Sequence, residues 1–187
     1  MDGFIIGIMI LVVLVICIVS WFIRSQNRLV HTEELCGNAM SQIGVQQASR
    51  WDALNVLADL TKGYSLHEYQ TLQETIATRK QINANTTAAE AQHQESILTR
   101  SFGLIHALAE SYPDLKSNTV YLKTMDSVQD FEGKVRMSRM VYNDSVTKYN
   151  RLVRSFPSSI AAIMMGFRIR EYLQEDSGKA AMPNMVR

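Results

Sequence analysis

The sequence predicts an all-α protein: an N-terminal transmembrane helix followed by an elongated antiparallel four-helix bundle. Three observations predict it. Residues 4–23, FIIGIMILVVLVICIVSWFI, contain neither a charged residue nor a proline. From residue 24 onward apolar side chains recur at steps of three and four, the helical period, and proline occurs only at 113, 157 and 183. Positions 121, 125, 128, 132, 135, 139, 142, 146, 149, 153 and 156 read Tyr, Met, Val, Glu, Val, Arg, Tyr, Val, Tyr, Val, Phe, a coiled-coil a/d stripe over five heptads.

Wound as a helix, residues 4–23 reach about 30 Å, the thickness of a hydrocarbon core. A helix is the single-segment structure that satisfies its own backbone there, and Trp21 and Phe22 stand where aromatic residues anchor at a headgroup layer. A cleaved signal peptide is not expected: Met1-Asp2-Gly3 has no Lys or Arg, and Ser20-Trp21-Phe22-Ile23 offers no small-residue exit. A lipoprotein anchor at Cys17 would need a small residue where Ile16 stands. Arg24 and Arg28 follow the span directly and no basic side chain precedes it, so the N-terminus, residues 1–3, is expected outside and the rest in the cytoplasm.

A net charge of +1 argues for no nucleic-acid partner. Two cysteines, one of them inside the span, make no disulfide framework, and Cys36 reads as a small buried apolar residue.

The first bundle helix is expected over 24–62, with Gly44 a candidate kink and Gly63 a stop. Ser65 and Glu68 have the spacing of a capping box for a second helix, which places Tyr69, Leu72, Ile76 and Arg79 on one face and fades near Asn83-Ala84-Asn85-Thr86. A third helix, about 87–111, ends at Tyr112-Pro113-Asp114. The fourth, 117–155, carries the stripe, and a short fifth is expected over 158–173. Residues 24–173 thus form the bundle and 174–187 a flexible tail. The first and fourth helices are twice the length of the other two, so near the membrane they should pair alone.

Glu132 and Arg139 interrupt the stripe, and Arg79 and Arg50 can be placed on core faces of their helices. They read as a ligand site or as a buried polar layer that sets register, and the second is preferred because metal-type spacing is missing. His67-Glu68 is followed by Thr71 where a zinc motif needs His, and the glycines are too scattered for a phosphate loop. No catalytic residue, cofactor or metal is therefore expected. Tyr142 and Tyr149, one heptad apart in repeated Tyr-Asn pairs, fit a structural core or a partner-binding strip. Residues 157–167 are uncharged and too short to cross a bilayer. Ile163 and Phe167 there are candidates for a contact surface with a second copy, the stalk or lipid.

Several pieces carry a resemblance: Gly63-Tyr64 with His67-Glu68, Glu110 through Lys116, Glu132, Ser138-Arg139, Tyr142-Asn143-Asp144-Ser145-Val146, Tyr149-Asn150, Phe156-Pro157 and Gly166-Phe167. In order and spacing the chain resembles the LemA family from residue 27 to about 173. Residues 50–57 lack the Pro-Asn pair that the family tends to carry there. The resemblance implies a bacterial inner-membrane protein with one span, a short outer N-terminus and a cytoplasmic helical body, and it lends no enzymatic activity. The expected function is a scaffold that acts by self-association and partner binding, with membrane lipid and a second copy as partners. The alternative is an accessory subunit of another membrane protein, such as a membrane protease.

Overall fold

A computed structural model describes residues 2–174. Six helices follow in order: α1 (Asp2–Thr61), α2 (Leu66–Ala77), α3 (Ala88–Ser111), α4 (Pro113–Lys116), α5 (Thr119–Arg154) and α6 (Ser158–Met165). There is no strand among the described residues, so the protein is all-α as the apolar period predicts.

One uninterrupted helix of 60 residues carries both the candidate span and the first bundle helix. Gly44 lies inside it without breaking it, and its role is close approach. A Cβ there would run into the carbonyl oxygen of Ile82, so the backbone of the α2–α3 connection crosses α1 where only glycine leaves room.

The Ser65 hydroxyl accepts from the Glu68 N–H at 3.4 Å, while the Ser65 N–H itself goes to the Thr61 carbonyl. Half of the expected capping box is thus present. The complete one stands at α3, where Thr87 and Glu90 exchange both bonds, at 3.2 and 3.1 Å. α2 ends at Ala77, short of residues 83–86. The Thr71, Thr75 and Thr78 hydroxyls all bond back to carbonyls of the preceding turn, competition that weakens a helix end.

α6 stops at Met165, not near 173. Gly166 takes a left-handed φ of +76°, and the Phe167 N–H returns to the Ala162 carbonyl at 3.0 Å, the long bond of a Schellman cap. Residues 167–174 continue without helix. Of the tail expected over 174–187, residues 175–187 lie outside the described residues.

The chain divides into two compact units, one of Met1–Asn38 with Asp144–Arg170, the other of Ala39–Asn143 with Glu171–Arg187. The second is a helical bundle, and one of its cores draws on five helices. α1 supplies Trp51, Leu54, Leu57 and Ala58, α2 Leu72, α3 Leu98, Phe102, Ile105 and Ala109, α4 Leu115, and α5 Tyr121 and Val128. Each large side chain of this set stabilises the fold by about 1.5–3 kcal/mol relative to exposure. Cross-contacts show the antiparallel order. The rings of Tyr64, after α1, and Tyr112, before α5, are 5.8 Å apart, while Arg50, earlier on α1, meets Glu132, later on α5. α3 and α5, joined through α4, meet again at Glu95 and Arg139.

In the first unit Leu29 of α1 packs with Ala161 and Ala162 of α6, and Phe22, Leu152, Val153 and Phe167 close around them. The expectation that the two long helices pair alone near the span is corrected here. α6 lies against them through two alanines, small enough to let it come close.

Candidate functional site

The stripe on α5 faces inward as its spacing requires. From Tyr121 to Val153 every one of its positions is buried or half-buried, and Phe156 beyond the helix end is 82% exposed. In the bundle unit the interruption at Glu132 meets Arg50. The guanidinium, 2% exposed, lies 3.3 Å from Glu132 and over the Phe102 ring at 5.6 Å. Burial pulls the Arg50 pKa down, and the negative charges of Glu132 and Glu95 oppose that pull. Arg139 binds Glu95 at 2.7 Å and also donates to the Gln174 carbonyl.

Arg50, Glu132 and Arg139 therefore fall into two ion pairs, Arg50–Glu132 and Arg139–Glu95. Arg79 is placed elsewhere. It follows the end of α2 and pairs at 2.9 Å with the exposed Asp52. A solvated pair of that kind contributes about 0–1 kcal/mol. Beside Arg50, the Gln47 amide and the Trp51 indole N–H are buried without a hydrogen-bond partner among the described residues. Each such group costs roughly 1–3 kcal/mol.

Sequence reasoning missed what the Tyr-Asn pairs do. In the first unit Asn150 accepts from the Arg170 N–H and donates to the Arg170 carbonyl, both at 2.9 Å. The buried Tyr149 hydroxyl bonds the Arg168 backbone, and its pKa is pushed up to about 12, chiefly by burial. In the second unit Asn143 holds Leu173 by the same two bonds, both 2.9 Å, and Tyr142 donates to the Glu171 carbonyl at 3.1 Å. Each asparagine acts like one residue of a neighbouring strand toward non-helical chain. Seven residues of helix and three of extended chain have the same length, about 10 Å. That is why a heptad repeat of Tyr-Asn matches partners three residues apart. The repeat was the available signal, and its meaning needed the chain after Gly166 to be extended.

Tyr142 and Tyr149 are thus directed inside the chain, 3% and 1% exposed, and Phe167 belongs to the small core of the first unit. Of the four candidate contact residues Ile163 alone stands on the surface, 80% exposed. Cys36 is a buried thiol whose pKa is raised by burial. Among the described residues no group of three His, Cys, Asp or Glu is placed to hold a metal ion. A hollow of about 540 Å³ lies between the 80–86 connection and the start of α3. Two of its polar groups are already engaged: Gln94 accepts from the Lys80 N–H, and Glu90 caps Thr87.

A model of the LemA family matches residues 39–186. The chain is 31% identical over 75 residues to magnetosome protein MamQ of Magnetospirillum gryphiswaldense, a match covering 40% of this chain and 28% of that protein. It is 24% identical over 142 residues to protein LemA of Metamycoplasma hominis, covering 75% of this chain and 65% of that one. The chain therefore spans less than two thirds of the length of either relative.

Proposed function

The chain belongs to the LemA family, and from that premise we propose that it is a non-enzymatic scaffold, anchored by one span in the bacterial inner membrane, that works by self-association and by binding partner proteins. Among the described residues one helix, α1, is long and apolar enough to cross a membrane, and residues 3–19 are exposed along it. The observation that carries the binding role is on α5. Met137, Met140 and Val141 stand at i, i+3 and i+4 on the face away from the core, all at least half exposed. Methionine is the apolar side chain best able to fit an irregular partner. The charged residues of the bundle support a structural role for its interior, since each arginine there is matched to a carboxylate.

The test is photocrosslinking in intact membranes, with a benzophenone amino acid in place of Met137 or of Met140 in the full-length chain. The expected product has twice the mass of the chain, accompanied by adducts to other proteins. An adduct with a single different membrane protein and none with itself would move the reading to an accessory subunit. An absence of protein adducts from both positions 137 and 140 would overturn it.

A further inference from the structure

α6, SSIAAIMM, carries no charge, and its apolar side chains have two different fates. Ala161 and Ala162 are fully buried against Leu29, while Ile160, Ile163 and Met164 project outward, 46%, 80% and 70% exposed. The neighbouring Phe156 and Ile169 are exposed as well, 82% and 63%. Large side chains on the open face and alanines on the packed face are the reverse of what a soluble helix needs.

The level at which α6 sits decides what covers that face. Phe22, in the last turn of the apolar run, packs against the same Leu29–Ala161–Ala162 cluster. Within this unit α6 therefore lies beside α1 where the span leaves hydrocarbon. Eight residues of helix are about 12 Å long, too short to cross and suited to lying along a surface. Arg24 and Arg28 on α1, Arg151 and Arg154 in the last turn of α5, and Arg168 just past α6 are all exposed in the same unit. Arg170 is taken by Glu33 at 3.3 Å.

We propose that α6 is a second membrane contact: an interfacial helix whose Ile160, Ile163 and Met164 enter the acyl boundary of an anionic leaflet while the neighbouring arginines bind lipid phosphates. The proposal rests on the reading of α1 as a span. Interfacial helices of this type bury their apolar face about 5–10 Å into the headgroup region and gain affinity from anionic lipid. Two attachment points, α1 and α6, would fix the tilt of the first unit against the bilayer.

The test uses the full-length chain with Cys17→Ser, reconstituted in vesicles of phosphatidylcholine with or without phosphatidylglycerol. Nitroxide labels are placed singly at Ile163→Cys, at Leu11→Cys as the span reference, and at Ser127→Cys as the aqueous reference. Collisions with oxygen report lipid, and collisions with a water-soluble nickel chelate report solvent. The expected result is oxygen access exceeding chelate access at 163, at a depth shallower than at 11. In vesicles with phosphatidylglycerol, Arg154→Gln with Arg168→Gln should move position 163 toward the aqueous value.

Chelate access at 163 equal to that at 127, with 11 still in lipid, would overturn the proposal and leave the span standing. Loss of lipid exposure at 11 would overturn both. A label at 163 shielded from both reagents would overturn it in favour of a second copy covering α6. An unchanged depth in the arginine variant would remove the phosphate contacts from the proposal.

Discussion

Arg50 is held in a way that makes its partner matter more than itself. Its guanidinium is almost fully buried, Glu132 on α5 is 35% exposed, and the Arg50 Nε has no acceptor among the described residues. Removing the carboxylate leaves a buried charge to be solvated by an apolar core, whereas removing both groups leaves only a packing change. Glu132→Leu is therefore expected to lower stability by about 2–3 kcal/mol, below the roughly 3–5 kcal/mol of a fully buried pair because water reaches Glu132. Arg50→Met combined with Glu132→Leu should recover most of that loss. Thermal melts of the full-length chain in detergent measure both, and equal losses in the single and double variants would show that the pair is solvated. Arg139 does not enter this cycle, because its carboxylate is Glu95. The stripe made the burial of Glu132 and Arg139 legible but not their partners, since a heptad pattern places a residue on a face without saying which helix stands opposite. Arg79 was misplaced for a different reason: extending α2 beyond Ala77 put it on a helical face that does not exist.

At the scale of elements, two glycines in long helices have opposite physical meanings. Gly133, in the middle of α5, has open space where a Cβ would go, so Gly133→Ala gains helix propensity and should stabilise by about 0.5–1 kcal/mol. Gly44→Ala gains the same propensity but drives a methyl group into the Ile82 carbonyl, a backbone atom that cannot rotate away. It is expected to destabilise, with a net loss of about 1–3 kcal/mol as for other overpacked sites. Denaturant unfolding of the two variants side by side checks the contrast, and two gains would mean that the 78–87 connection yields freely. In the sequence Gly44 reads only as a candidate kink, and nothing there sets it apart from Gly133. The difference lies in a long-range crossing, invisible to a periodicity argument. The end of α6 was missed in the same manner. Gly166 is the usual residue of a left-handed cap, but the apolar pattern continues through Phe167 and Tyr172 and points to more helix. What overrides it is the bonding of Asn143 and Asn150 to the backbone of 170 and 173.

For the molecule as a whole, the long apolar N-terminal helix and the all-α class were the most legible features, because each rests on tens of residues acting together. Orientation rests on far less. The side chains that bias insertion are Arg24 and Arg28, directly after the apolar run, with none before it. Basic residues close to a span's ends govern which side stays in the cytoplasm, and distant ones contribute little. Arg151, Arg154 and Arg168 lie roughly 130 residues or more beyond the apolar run, far outside the reach of the positive-inside bias, so they should not matter for topology. A fluorescent reporter that folds only in the cytoplasm is expected to light when fused to the C-terminus, and an alkaline phosphatase fused there is expected to be inactive. Replacing Arg24 and Arg28 by Gln and adding two lysines between Asp2 and Gly3 reverses the bias, so a substantial fraction of the chain should then insert the other way and the phosphatase should gain activity. Replacing Arg154 and Arg168 by Gln should leave both reporters unchanged. An active phosphatase on the unaltered chain would place the helical body outside, and with it the anionic surface for α6 would have to be sought in the outer leaflet.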